Sequence, residues 1–188
     1  VGKLSLPFIK KSEEKSILER AFFFLYHLIA ELVRLEQITS GSLAPHLQTC
    51  DPQHLLERAK GLLFLRDDAI ELSLDGTPIV ADCEVMVTVF KNLIDNAIKY
   101  SSEGKVYVSQ NKERILFSNK GKEWPSGCTL QSLSEPFLHQ HDNQNSFGLG
   151  LYIIKSILDA HNFTLNYRYE EGFHRFEAIC LNPLSSHD

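Results

Sequence analysis

Two apolar helical stretches with polar groups at fixed places constrain this chain more than anything else in it. The first ends Lys91-Asn92-Leu93-Ile94-Asp95-Asn96-Ala97-Ile98-Lys99-Tyr100. Phe90, Leu93, Ile94, Ala97 and Ile98 recur at helical spacing and form a stripe to bury. Asn92, Asn96 and Lys99 lie four and three apart, so they share the other face. Asp82 is placed to cap this helix, which runs to about Tyr100. The second stretch is Ser146-Phe147-Gly148-Leu149-Gly150-Leu151-Tyr152-Ile153-Ile154-Lys155, a Gly turn opening directly into a helix to about Ala160. Amide oxygens are hard ligands for magnesium, and a lysine ammonium is a point charge for phosphate. A Gly turn at a helix start frees backbone N–H groups for an anion. Each segment alone has a plainer reading, a solvated helix face or a glycine closing a loop. The pair, in this order, reads as a site for a magnesium-bound phosphate ligand.

The rest of the chain sets the frame. Residues 12–40 predict a long helix: Leu18, Ala21, Leu25, Leu28, Leu32 and Leu35 are spaced 3, 4, 3, 4 and 3. Phe22, Phe24 and Ile29 widen its apolar face towards a bundle. Lys3 to Lys11 reads as the end of a preceding helix, kinked at Pro7. The two make a helical hairpin whose apolar face needs a partner, so a homodimer is expected, with packing on the chain's own globular domain as the alternative. The polar stretch Ser40 to Asp51 is the expected boundary, giving a hairpin over 1–44 and a globular domain over 45–188.

Within the domain, Pro52 to Phe64 reads as helix. Ile70 to Leu74 and a run beginning at Pro78 read as strands around an Asp75-Gly76 turn. Lys105–Ser109 and Arg114–Ser118 follow as strands joined near Asn111-Lys112. A closing hairpin crosses Glu171-Gly172. About three helices and six strands in consecutive hairpins predict an α+β fold, a two-layer α/β sandwich of helices on one face of a mostly antiparallel sheet.

Composition narrows the options. The net charge of −5 argues against nucleic acid as a partner. The four cysteines, Cys50, Cys83, Cys128 and Cys180, are widely spaced without a CxxC pair, so neither a zinc site nor a disulfide framework is expected, and a reducing cytoplasm is. No apolar run is long enough to span a bilayer. The chain begins at Val1 rather than Met, so a fragment is the expectation, with any membrane anchor outside it.

The two segments and their order resemble the ATP-binding domain of sensor histidine kinases, in the superfamily shared with gyrase, Hsp90 and MutL. NLIDNAIKYS is similar to the family's N box, EPF at Glu135-Pro136-Phe137 to its F box, and FGLGLYIIK to its second glycine box. The resemblance covers about residues 50–182. It implies an ATP-binding site formed by Asn92, Asn96, Lys99, Tyr100, Asn119, Gly121, Phe137, Gly148, Leu149, Gly150 and Leu151. Asn92 and Asn96 would hold Mg2+, Lys99 would contact phosphate, and Tyr100 would pack on the adenine. Gly148 and Gly150 would shape the lid's end, and Phe137 would anchor the lid.

One motif departs from the pattern. Where the family has Asp-x-Gly-x-Gly, this chain has Asn119-Lys120-Gly121-Lys122-Glu123. The resemblance places the aspartate against the adenine amino group. Asparagine still accepts there, without charge assistance, a difference of ~1 kcal/mol.

The resemblance also implies an acceptor histidine in a His-Glu-Leu-Arg-Thr-Pro motif, and none of the eight histidines matches it. His27 lacks the acidic neighbour and the proline. The expectation is therefore an acceptor upstream of Val1, a fragment unable to phosphorylate itself, a response regulator as onward partner, and a full-length protein in the bacterial inner membrane. Two other readings stay open: a nucleotide-sensing or scaffold module without kinase activity, suggested by Asn119 and Glu123, and another ATPase of the superfamily. The last needs a catalytic glutamate near Asn92, and Glu84 lies two turns away.

Overall fold

The computed structural model describes residues 46–125, 128–134 and 149–181, together with Ile29, Val33 and Glu36, which are helical. The expected hairpin over 1–44 otherwise lies outside the described residues. By its contacts the chain divides into two units, Val1–Ser42 and Leu43–Asp188. The sheets and the helices packed on them belong to the second.

Local signals start most elements where the sequence places them. After the short strand β1 (Gln48–Cys50), the Asp51 carboxylate accepts from the Gln53 N–H at 2.9 Å and Pro52 opens α1 (Pro52–Leu63). Pro suits the first helical position because its missing N–H has no partner there anyway. Phe64 ends the helix in the left-handed region at φ 51°. A 3-10 turn (Asp67–Ala69) leads to β2 (Ile70–Ser73), and then to β3 (Ile79–Ala81). Asp82 accepts from the Glu84 and Val85 N–H groups at 3.1 and 3.3 Å and starts α2 (Cys83–Tyr100). There follow β4 (Val106–Asn111), β5 (Arg114–Lys120), a one-turn helix α3 (Leu130–Leu133), α4 (Leu149–Ala160), β6 (Phe163–Glu170) and β7 (Phe173–Cys180).

Five strands form one sheet in the order β2-β4-β5-β7-β6, antiparallel except for the parallel β2–β4 pair. Alternation in β4, β5 and β7 turns Val106, Val108, Ile115, Phe117, Phe176 and Ala178 to one face. On that face Phe117 meets Phe90 of α2 edge-on, with ring centroids 5.3 Å apart. Leu55 and Leu56 of α1, Leu93 and Ile94 of α2, and Ile154 and Ile157 of α4 are buried with them. The expected α+β sandwich is the fold observed, with β1 and α3 added to the predicted elements.

Two details differ from expectation. The Asp75-Gly76 turn does not fold β3 back on β2. The Asp75 carboxylate instead accepts from the N–H groups of Thr77 (2.9 Å) and Lys112 (2.5 Å), bonds that hold it below the usual carboxylate range. Gln110 Nε2 donates to the Thr77 carbonyl at 2.6 Å. The segment is thereby tied to the β4–β5 turn. β3 pairs with β1, Gln48 opposite Ala81, in a separate two-stranded sheet.

The second correction concerns the cysteines. Cys50 and Cys83 form a disulfide, their Cα atoms 5.7 Å apart across 33 residues of sequence. Cys50 ends β1 and Cys83 opens α2. The pairing of β1 with β3, two residues before Cys83, sets both cysteines beside the same small sheet, and sequence spacing alone hides it.

Candidate nucleotide site

The site is built on the last three turns of α2. Asn92 is 7% exposed, so the solvated-face reading fails for it. Its Nδ2 has no hydrogen-bond partner among the described residues. A buried unsatisfied donor costs about 1–3 kcal/mol, so this amide marks a place where a polar ligand is stabilising. Asn96, one turn on, is half-buried and lies against the start of α4: a Cβ on Gly150 would be 3.6 and 3.7 Å from its amide atoms. That is ordinary contact, so this neighbour alone does not require glycine at 150. Lys99 is half-buried beside it. Burial lowers its pKa, partly opposed by Asp95, and its Nζ lies 5.5 Å from the Tyr100 ring centre. The structure thus brings the N-terminal turn of α4 to Asn96. Leu151 is half-buried in the first turn of α4, which Leu149 begins. Phe137 and Gly148 lie outside the described residues.

The other end of the site lies where β5 meets the end of α2. Asn119 continues the row Ile115, Phe117 on the helix-facing side, is 2% exposed, and has an Nδ2 without a partner among the described residues. Gly121 follows at a point of close approach. A Cβ there would lie 2.6 Å from the Tyr100 carbonyl oxygen and 3.0 Å from the His174 ring. Its N–H donates to Gly172 O (3.0 Å) and its carbonyl accepts from the Tyr169 hydroxyl (3.1 Å). Gly121→Ala is therefore expected to cost about 1–3 kcal/mol of stability by overpacking against backbone, seen as a lower urea midpoint with an unchanged slope.

Sequence reading missed an aromatic cluster beside these residues. Trp124 stacks on Tyr167 with ring centres 4.8 Å apart and an interplanar angle of 24°. It lies 4.5 Å from the His174 ring and edge-on to Tyr100 at 5.8 Å. His174, 1% exposed, donates from Nε2 to the Lys122 carbonyl (2.8 Å) and accepts at Nδ1 from the Tyr167 hydroxyl (2.9 Å), which assigns the neutral Nε2–H tautomer. The only advance signal was the alternation Tyr167, Tyr169 opposite His174, Phe176, which puts these rings on one sheet face.

Burial pushes Tyr167 up to about 12. It lowers the pKa of His174, against the Lys122 carbonyl and Glu123, which raise it. A histidine whose folded pKa is depressed stabilises the fold above its unfolded value and loses that contribution as pH falls. Stability should therefore decline on acidification below the ordinary histidine value of 6.5. Urea titrations across that range should show a shallower slope in a His174→Gln variant.

Glu84, the one acid considered as a catalytic glutamate, is engaged elsewhere. Its two carboxylate oxygens accept from Arg58 at 2.7 Å each, on the exposed side of α1 and α2.

The profile of the histidine kinase-, DNA gyrase B- and HSP90-like ATPases matches residues 81–182. The chain belongs to this family. It is 28% identical over 176 residues to the sensor histidine kinase ArsS of Helicobacter pylori, covering 91% of this chain and 41% of that protein. It is 30% identical to the sensor histidine protein kinase HK06 of Streptococcus pneumoniae over 154 residues, covering 78% and 34% respectively. Among solved structures it resembles the Acinetobacter baumannii histidine kinase AdeS, with TM-score 0.69, 25% identity, and 89% and 84% of the two chains covered. The chain spans less than half the length of these curated relatives. Residues 81–182 are thus a histidine kinase-like ATPase domain of the sensor-kinase type, and ATP is the nucleotide of its family. No helix among the described residues is long and apolar enough to cross a membrane.

Proposed function

We propose that residues 45–188 bind Mg-ATP and transfer its γ-phosphoryl group to a histidine outside the ATP-binding unit. The observation that carries this reading is a pair of buried carboxamides, Asn92 and Asn119, whose Nδ2 atoms have no partner among the described residues, with Asn96 and Lys99 on the same helix as Asn92 and Gly150 against Asn96. Among the described residues no group of three or more His, Cys, Asp or Glu offers a metal site. Asn92 and Asn96 would hold Mg2+ through their amide oxygens, a small hard donor set that suits a metal keeping waters and substrate phosphates as its other ligands. Bound there, the ion would neutralise charge on the phosphates.

The chain's own groups do the rest. Lys99 places a cation at the phosphates, and its partial burial strengthens that attraction. The backbone N–H groups opening α4 at Leu149, Gly150 and Leu151 face the same end, with Gly148 before them. Tyr100 and Gly121 border the base, and Asn119 hydrogen-bonds its edge. By the family resemblance, Phe137 would anchor the segment that covers the nucleotide. In-line attack by an imidazole nitrogen on the γ-phosphorus releases ADP, and catalysis is mostly positioning and charge stabilisation. The acceptor histidine belongs to the helical hairpin but is none of the eight histidines of this chain, and residues 1–44 supply the part of that hairpin through which a homodimer forms. The phosphoryl group then passes to a response-regulator aspartate. The sensor-kinase reading, not the cysteines (Cys50 and Cys83 pair), assigns the unit to the cytoplasm, with any inner-membrane anchoring through segments outside it.

A second reading rests on Asn119 and Glu123: the same site binds nucleotide as a signalling scaffold without transfer. The two separate experimentally. Mg-ATP is expected to raise the unfolding temperature of the 188-residue protein, and no shift would end both readings. A peptide carrying a His-Glu-Leu-Arg-Thr-Pro motif is expected to gain acid-labile, base-stable label from γ-labelled ATP. Binding without label would leave only the scaffold.

A further inference from the structure

We infer that this site accepts 6-oxopurine nucleotides, of the inosine and guanosine type, alongside 6-aminopurines, because Asn119 offers the base a carboxamide whose Nδ2 is tied to no partner among the described residues. The inference rests on the reading that Asn119 faces the base of a bound nucleotide.

The surroundings of Asn119 suit a flat heterocycle. Its backbone pairs with His174 on β7, the Trp124 ring lies 4.5 Å from the His174 ring, and Tyr100 meets Trp124 edge-on. Aromatic faces stack any base with little preference. Selection among bases must therefore come from hydrogen bonds along the base edge. His174 cannot supply them, since both its ring nitrogens are engaged, with Lys122 O and with the Tyr167 hydroxyl. Among the described residues Asn119 is a polar side chain left over, 2% exposed and with an Nδ2 that has no partner there.

The chemistry of that side chain decides the outcome. A carboxylate has acceptors only. A carboxamide has one acceptor and one donor side by side. The Watson–Crick edge of a 6-aminopurine offers the mirror of this pair: N6–H donates and N1 accepts. In a 6-oxopurine the roles exchange, with O6 accepting and N1–H donating. Half a turn about χ2 swaps Oδ1 and Nδ2 and matches the second edge as well as the first. Such a turn is costly when Nδ2 is tied to a fixed carbonyl. Here Nδ2 has no such tie among the described residues, so each base finds two complementary bonds. Strong rejection of an analogue arises when it leaves buried polar groups unpaired. With a free carboxamide, neither base does so.

The test is calorimetric titration of the 188-residue protein, in magnesium, with ATP and with ITP, which differs from ATP at the 6-position and N1 and has no 2-amino group to complicate the edge. Affinities within tenfold of one another are expected. ATP binding with ITP tenfold or more weaker would overturn the inference and leave the ATP reading standing. Binding of neither would overturn both. In Asn119→Asp, ITP is expected to lose tenfold or more relative to ATP, because two acceptors then oppose O6, and an unchanged ratio would remove Asn119 as the determinant. Should that variant fail to fold, Asn119→Ala is expected to weaken both nucleotides by the same factor. Unequal loss there would count against the inference.

Discussion

Reduction of the Cys50–Cys83 disulfide is expected to lower the unfolding free energy of the ATP-binding unit by about 3 to 4 kcal/mol. The bond closes a loop across 33 residues, and the loop-closure entropy it removes from the unfolded chain has about that size. For a unit of this length the loss corresponds to roughly 10 °C in the unfolding temperature. The loop holds α1 and β2 and ends at the first residue of α2, so the effect should reach the helix that carries Asn92 and Asn96. Thermal unfolding with and without dithiothreitol measures it. A Cys50→Ser, Cys83→Ser double variant should unfold like the reduced protein and be indifferent to reductant. Thiol titration of the unreduced, unfolded chain should count two of the four cysteines. Four thiols, or no response to reductant, would remove the bond.

Asn96→Ala is expected to abolish most of the stabilisation given by Mg-ATP while leaving the fold intact. The side chain is half-buried and borders the start of α4, so its removal opens little apolar core. Its proposed task is to ligate magnesium; loss of even an outer-shell partner of a ligand typically costs ten- to a hundredfold in metal affinity, so loss of the ligand should cost at least that much. At a nucleotide concentration about a hundred times the dissociation constant, binding stabilises by about 2.7 kcal/mol. A thirtyfold loss would leave about 0.9 kcal/mol under the same conditions. Differential scanning with and without magnesium reads both numbers. A variant that keeps the magnesium-dependent shift of the parent would remove Asn96 from the metal site.

Both expectations concern residues whose roles come from partners far away in sequence, and there the local signals of the chain run out. The caps at Asp82 and Asp51, the apolar stripe of α2, the helix opening at Leu149 and the turn at Glu171-Gly172 were all legible. Each follows from residues within a few positions of one another: a carboxylate reaching the N–H groups two and three residues on, or an apolar side chain every third or fourth place. The two helices that border the site could be named in advance for that reason, and the α+β sandwich with them.

What the sequence did not show was non-local. Ile79–Ala81 carries the same strand signal whether it folds back on β2 or crosses to β1, and the choice was made by Asp75 and Gln110 gripping the β4–β5 turn. The cysteine pair followed from that choice. The periodicity that made Asn92 part of a polar face held no information on what would lie over it, and tertiary packing buried it with an unpaired amide. Trp124, Tyr167 and His174 are up to 50 residues apart in the chain, and only the register of β6 on β7 and the path after Gly121 bring their rings together. By itself, then, the sequence determined the helices, their caps and the residue types of a phosphate site. The tertiary structure decided which of those residues are buried, which amides lack partners and which rings border the base, because burial and contact depend on chain segments that no local spacing can relate.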